Sequence, residues 1–300
     1  MNAMKERRYL ADREGFLGPV FLLPSVVYIV GLVAIPFFLA IAYSLSDVTV
    51  GKPSYHYVGL RNFRAILSDH TFLQSIVHTV FITVVAMVAV VILATALALV
   101  LVQNFRGKWV VRVLVLLPWT TPVSLVTIVW LWLLDSLFSP IDWVLRELGL
   151  LHGNLHWLGN SQLANVSVIA VHAWRIVPLA AVIILAGIVA IPDEVIEAAR
   201  VDGAGFWRTL WEITIPLTGP VIAVATLFGA ILIFTDMAVV YVLTRGGPVN
   251  STQVLATWAF FRGIEGGDLA QGAAIALFLF PVLVVFAVLI LRSSRRTEVL

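Results

Sequence analysis

Cysteine is absent from the 300-residue chain, which removes disulfides, thiolate metal sites and cysteine nucleophiles together. Charge is scarce too: 12% of the residues are Asp, Glu, Lys or Arg, about half the share of a soluble domain. No Gly-x-x-x-x-Gly-Lys-Ser/Thr run occurs. Gly107-Lys108 lacks the earlier glycine and is followed by Trp109, so the chain holds no nucleotide through a P-loop of its own. A Gly-x-Ser-x-Gly nucleophile elbow is missing, and nothing in the chain demands catalysis. His152 and His156 stand four apart, but Gly153 and Asn154 lie between them and no third ligand follows. We read them as loop histidines and expect no metal site. The net charge of +2 gives no reason to expect nucleic acid as a partner.

What the chain has instead is apolar length, with 61% of its residues hydrophobic. About 20 apolar residues in a helix cross a hydrocarbon core of roughly 30 Å. The sequence predicts an all-α, polytopic membrane protein of six spans, at about 16–45, 76–102, 109–134, 163–191, 217–244 and 272–291. The first apolar stretch follows Lys5, Arg7, Arg8 and Arg13 and leads to Ala40-Ile41-Ala42, as a signal peptide would. It is about twice the length of a signal h-region, so we read it as an uncleaved membrane helix. Pro19, Pro24 and Pro36 supply kink sites in it, and Pro118, Pro122, Pro178 and Pro281 interrupt later spans. We expect no repeat and no soluble unit, so that residues 1–300 form a single membrane domain.

Six spans put both ends on one side of the membrane. That side carries Lys5, Arg7, Arg8, Arg13, Arg106, Lys108, Arg200, Arg208, Arg292, Arg295 and Arg296. The other carries only Lys52, Arg61, Arg64, Arg146, Arg245 and Arg262, spread over longer loops. The positive-inside rule places both termini in the cytoplasm of a cell whose plasma membrane the chain spans. In the outer segment 135–162, residues 141–148 read as an amphipathic interfacial helix with Asp142 and Arg146 four apart. Trp130, Trp132, Trp143 and Trp157 suit an aromatic belt there.

Between the fourth and fifth spans lies a polar island, residues 192–214. Pro192 suits the first position of a helix, and Asp193 and Glu194 its positive end. Gly203 and Gly205 stop that helix, and 206–213 form a second short one before Pro216 opens the next apolar run. The expected shape is helix, sharp bend, helix. Inside the fifth span, Asp236 follows Phe234-Thr235 at a depth where a carboxylate costs roughly 2.5–3.5 kcal/mol unless it faces a cavity or a partner. It either accepts hydrogen bonds from solute hydroxyls or pairs with Arg175. Arg175 and its neighbour Trp174 likewise bind solute or hold helices together. Phe234 and Tyr241 either stack on a ring of the solute or pack. His172 is expected to hydrogen-bond within the bundle.

The run Glu197-Ala198-Ala199-Arg200-Val201-Asp202-Gly203-Ala204-Gly205, with Ile213-Thr214-Ile215-Pro216-Leu217 beyond it, resembles the EAA loop of ABC importer permeases, the segment that docks on the ATPase. Trp174, Pro178, Ala186-Gly187, Ile191-Pro192 and Glu194 stand at the spacing of sugar-type permeases. Leu243-Thr244-Arg245-Gly246-Gly247-Pro248 is similar to the Thr-x-Gly-Gly-Pro segment of maltose-permease-like chains. Val58-Gly59-Leu60-Arg61-Asn62-Phe63 resembles their first outer loop, and Leu116-Leu117-Pro118-Trp119 their third helix. Arg208 and Leu210 depart from the family's usual Gln and Phe, and Arg245 from a common glycine. The whole run also resembles the permeases of actinobacterial trehalose importers.

The resemblance implies a type I importer permease that forms half of a sugar pathway, for a disaccharide such as trehalose. Glycerol phosphate or another polar solute is the alternative, and an intramembrane hydrolase a more distant one. It implies a second homologous permease, two ATPase subunits and an extracytoplasmic sugar-binding protein as partners, with ATP and Mg held by the ATPases and no cofactor here. It assigns coupling to Glu197, Ala198, Ala199, Asp202, Gly203, Ala204 and Gly205. The substrate pathway falls to Phe234, Thr235, Asp236, Tyr241, Trp174 and Arg175.

Overall fold

The computed structural model describes residues 14–52 and 55–295. Lys5, Arg7, Arg8, Arg13 and Arg296, which entered the topology argument, lie outside the described residues. Its helices in chain order are α1 Glu14–Ile29, α2 Ile35–Ser44, α3 Arg61–Leu67, α4 His70–Val102, α5 Lys108–Thr120, α6 Val123–Leu133, α7 Pro140–Glu147, α8 Ser161–Val189, α9 Asp193–Val201, α10 Phe206–Thr209, α11 Ile215–Phe234, α12 Ala238–Leu243, α13 Leu255–Phe260 and α14 Leu269–Arg295. Extended pairing among the described residues is confined to two isolated bridges, Ser46 with Tyr57 and Thr49 with Lys52. Five helices are long and apolar enough to cross a membrane, and the bent pair α5–α6 makes a sixth if it counts as one span. The all-helical membrane architecture expected from the sequence is therefore present.

Three of the expected spans are built differently in detail. The third is two helices meeting at 94°. Pro122 causes the break: a residue before proline is pushed out of the α region, and Thr121 has ψ 138°. Pro118, by contrast, is absorbed inside α5. In the first span, a π-turn at Val30–Ala34 joins α1 to α2, and Pro36 sits just after it. The fifth span repeats this device. A π-turn at Leu210–Thr214 precedes Ile215-Pro216, and the helix runs unbroken from Phe206 to Phe234. In both turns the amide ahead of the proline reaches back five residues, Ile35 to Val30 and Ile215 to Leu210. The wider turn accommodates a residue that has no N–H and whose ring clashes with the carbonyl four back. The expected break at Pro216 is absent for that reason, and the second short helix of 192–214 is the first turn of the fifth span.

The core is formed by α4 and α8, with α11 packed on both. Small residues line these contacts: Ala86, Ala94, Ala98, Ala180 and Ala181 are buried, as membrane helices that approach closely require. Gly229 of α11 is one such position, where an added Cβ would stand 2.9 Å from Met87 Sδ. The first span contributes little to this core. Most of residues 18–39 are exposed, and α2 leans on α14, with Phe37 edge-on to Phe280 at 6.1 Å.

A second cluster (Ile66, Phe72, Leu255, Ala274 and Ile275) gathers α3, α13 and the start of α14 around the head of α4. Asp69 caps α4 by accepting from Thr71 N, which carries the helix six residues beyond its expected start. Backbone bonds from Val50 N to Gly267 O and from Ala270 N to Val48 O tie the first outer loop to the last span. The His56 amide donates to Asp47 and is the main cause that holds its carboxyl below the usual carboxylate range. In α7, Asp142 does not pair with Arg146 as the spacing suggested. It turns inward to accept from Leu155 N and Trp157 Nε1, while Arg146 reaches Asn154.

Gly272 of α14 packs closely against Gly263 in the π-turn Phe261–Glu265. A Cβ on Gly272 would overlap Gly263 Cα and lie 2.9 Å from the Ala259 carbonyl oxygen. Backbone on both sides leaves no flexible end to give way. Gly272→Ala is expected to cost about 1–3 kcal/mol through overpacking. Thermal unfolding of the purified chain in detergent reads this directly, and an unchanged midpoint would contradict the packing.

Candidate functional site

The polar island between α8 and α11 takes the shape its residues dictate. Pro192 stands at the N-cap of α9, with Asp193 and Glu194 in the first turn. The helix closes on Gly203, whose φ of +77° is the left-handed conformation that glycine adopts without steric cost. Gly203 N donates to Arg200 O at 3.0 Å and Ala204 N to Ala199 O at 2.9 Å, satisfying carbonyls that the helix end would strand. Gly205 then serves as the N-cap of α10. Ala199 is buried, whereas Glu197, Ala198, Asp202, Gly203 and Gly205 are exposed and Ala204 is partly covered. Apolar side chains stand in the open around the bend: Val201 is 88% exposed, and Phe206, Trp207 and Trp211 are exposed with it. Beside them, α4 and the first turns of the fifth span enclose an apolar groove of about 730 Å³.

Residues 234–241 divide among several environments. The apolar run from 217 to 244 conceals a helix break, and Asp236 lies in it between α11 and α12, rather than deep within one span. Short polar side chains make the break: Thr235 Oγ1 donates back to Ile231 O, and Asp236 Oδ1 accepts from Val239 N, which starts α12. The other carboxylate oxygen, Oδ2, accepts from Arg175 Nη2 at 2.9 Å, and the two side chains are 9% and 7% exposed. Of the two roles open to Asp236, the structure displays the ion pair.

Phe234 is buried and stacked on Phe286 at 6.5 Å, so its ring is engaged in packing. Trp174 stands edge-on to Trp130 and lines a groove of about 670 Å³ with Pro118 and Pro178. Thr235 is exposed. His172 departs from expectation: it is buried and its Nδ1 has no hydrogen-bond partner among the described residues.

Tyr241 belongs to a separate constellation farther along α12. Its hydroxyl donates to Glu265 Oε1 at 3.0 Å, and Arg245 Nη2 donates to both Glu265 oxygens at 2.9 and 2.8 Å. The guanidinium carbon lies 5.0 Å from the centroid of Tyr241 and 5.6 Å from that of Phe261. Arg245 has φ 50°, left-handed for a non-glycine residue, which costs roughly 1–2 kcal/mol. Its amide donates to Val240 O at 2.9 Å, the closure at a helix end that glycine usually makes. Nearby, Arg262 pairs with Asp69 at 3.1 Å and lies over Trp258. Among the described residues no group of three or more His, Cys, Asp or Glu is placed to hold a metal ion.

Residues 90–299 match the family described as binding-protein-dependent transport system inner membrane component. The chain belongs to this family. It is a multi-pass membrane transport subunit, an ABC importer permease, rather than an enzyme. The permease is 30% identical over 286 residues to the trehalose/maltose transport system permease protein MalF of Thermococcus litoralis, covering 95% of this chain and 96% of that one. It is also 30% identical to the diacetylchitobiose uptake system permease protein DasB of Streptomyces coelicolor, covering 97% and 91%. Among solved structures, a bacterial ABC transporter that imports the acidic polysaccharide alginate superimposes with a TM-score of 0.80 at 20% identity. That match covers 97% of this chain and 99% of the other, and the likeness is one of fold.

Sequence reasoning about this permease missed Glu265, the anion that organises Tyr241 and Arg245 from 20 or more residues away. Its only sequence signal was a carboxylate in the short charged stretch Arg262–Asp268 beside an aromatic pair. Arg112 was missed as well. It donates to Leu101 O and, with Lys108 on Val102 O, closes the end of α4.

Proposed function

We infer that this permease forms half of the pathway of an ATP-driven importer for a neutral sugar of disaccharide size, with trehalose the first solute to test. The names of the Thermococcus and Streptomyces relatives support a di- or oligosaccharide. The observation that carries neutrality is the state of the cations. Among the described residues Arg175, buried in α8, is paired with Asp236, Arg245 with Glu265 and Arg262 with Asp69. An anionic solute such as a glycerol phosphate needs a cation free to meet it, because a paired guanidinium would have to give up its carboxylate first.

On this reading both termini and residues 192–214 are cytoplasmic, and the α9–α10 bend docks on an ATPase through Glu197–Gly205 and the exposed Val201 and Phe206. A second homologous permease and an extracytoplasmic binding protein complete the assembly, and ATP with Mg is held by the ATPase pair. The pathway runs along the break at Thr235 towards Tyr241, with the Asp236–Arg175 pair bracing its wall and Phe234 and Trp174 packing behind it.

The test is reconstitution of the complex into liposomes with labelled trehalose, maltose, diacetylchitobiose or sn-glycerol 3-phosphate. ATP-dependent uptake of a disaccharide, and not of the phosphate, is the expected result. Uptake of glycerol phosphate alone would overturn the sugar assignment, and uptake by the chain without an ATPase would overturn the importer reading.

A further inference from the structure

Arg245 stands at a helix end where glycine would be relaxed, so what holds an arginine there is its side chain. The guanidinium lies over Tyr241 and Phe261, and one nitrogen, Nη2, is chelated by both oxygens of Glu265. Chelation through one nitrogen leaves the rest of the fork open: Nη1 and Nε have no acceptor among the described residues. The side chain of Arg245 is 60% exposed and that of Glu265 37%. Charge cancels within the pair, yet both side chains stay partly exposed and Arg245 keeps unused donors. Half-buried aromatic rings form an apolar wall next to them.

We propose that Arg245, Glu265, Tyr241 and Phe261 form a reception subsite for a neutral polyhydroxylated solute beyond the end of α12. This deepens the sugar-permease reading and rests on it. Neighbouring hydroxyls of a sugar each donate one hydrogen bond and accept another, which matches a fixed donor edge beside a fixed acceptor edge. The C–H surfaces of the ring need an apolar wall, which the aromatic side chains provide. An anion would compete with Glu265 for Arg245, and a cation would compete with Arg245 for Glu265, so the pair rejects both. The orientation of the donors is pre-organised by the rings beneath the guanidinium, which keep it from swinging into solvent.

The informative variant is Arg245→Gly, because it removes the side chain while placing at φ 50° the residue best suited to that conformation. The whole complex, with partner permease, ATPases and binding protein, is reconstituted with the disaccharide that the wild type carries among labelled trehalose, maltose and diacetylchitobiose. Two quantities are read: ATP hydrolysis stimulated by the loaded binding protein, and sugar delivered per ATP hydrolysed. Arg245→Gly is expected to assemble, to hydrolyse ATP within twofold of the wild type, and to deliver at least tenfold less sugar per ATP. Glu265→Gln, which keeps one acceptor oxygen, is expected to lose about threefold. Unchanged delivery per ATP in Arg245→Gly overturns the subsite. Parallel loss of assembly and ATP hydrolysis overturns it too, since the cluster is then a brace between the loop after α12 and the turn before α14. A wild type that carries none of the three disaccharides defeats the sugar reading itself, and the subsite with it, before any variant is made.

Discussion

Asp236→Ala is expected to destabilise the permease by about 3–5 kcal/mol, because it strands the Arg175 guanidinium in the interior without its counter-charge. The pair is 2.9 Å apart with both side chains almost fully covered, and Arg175 Nε has no hydrogen-bond partner among the described residues. The same substitution removes the bond to Val239 N that starts α12, so the break between α11 and α12 loses its cap as well. Loss of a single hydrogen bond to a solute would show differently, as roughly ten- to a hundredfold weaker handling of sugar by a complex that still assembles. Removing both charges separates these outcomes. An Arg175→Met, Asp236→Ala pair leaves no unpaired charge, and exchanging a buried ion pair for apolar side chains is often near neutral. The double variant is expected to regain assembly and most of the uptake. Recovered assembly without uptake would instead make Asp236 a direct acceptor for sugar. A single Asp236→Ala complex as stable as the wild type would remove the bracing role altogether.

How much of this was legible in the sequence depended on the range of the signal. The bend at 192–205 was readable because its determinants are local: a proline at the start, acids in the first turn, and Gly203 where the backbone turns left-handed. Of the four prolines expected to interrupt later spans, only Pro122 breaks one, while Pro118, Pro178 and Pro281 are absorbed inside their helices. Pro216 misled because its cost is absorbed by the π-turn before it, and a turn of five residues leaves no mark in hydropathy. The end of the fifth helix at Phe234 was hidden in an apolar run, since a side-chain cap rather than a loss of hydrophobicity makes the break. Arg175 was named as a partner for Asp236 because only so many charges lie among the spans. Glu265 was not found, since nothing local says that a carboxylate after one span folds back onto an arginine after another. The inward turn of Asp142 failed on the same ground: helical spacing offered Arg146, and tertiary structure supplied Trp157.

Gly203→Pro is expected to abolish sugar-dependent transport, by more than a hundredfold, while leaving the binding protein able to dock on the opposite face. Proline fixes φ near −65° and has no N–H, whereas Gly203 has φ +77° and donates to Arg200 O. The bend therefore has to open, which moves the exposed Val201 and Phe206 relative to the helices behind them. Energy from ATP reaches the pathway only through contacts that differ between two states, so on the proposed docking a displaced bend is expected to uncouple the ATPases even where they remain bound. Gly203→Ala isolates shape from space. A Cβ there would meet nothing within 4 Å, so its cost is backbone strain alone, roughly 1–2 kcal/mol. Gly203→Asn, which tolerates the left-handed region better, should lie closer to the wild type. The order of activity expected in reconstituted complexes is Gly, Asn, Ala, then Pro, with ATP hydrolysis stimulated by the binding protein falling in step with uptake. Wild-type transport by the proline variant would mean that the bend carries no coupling. A loss of equal size in Ala and Pro would mean that the contact surface tolerates no adjustment at all, because strain of one or two kcal/mol would then suffice to uncouple it.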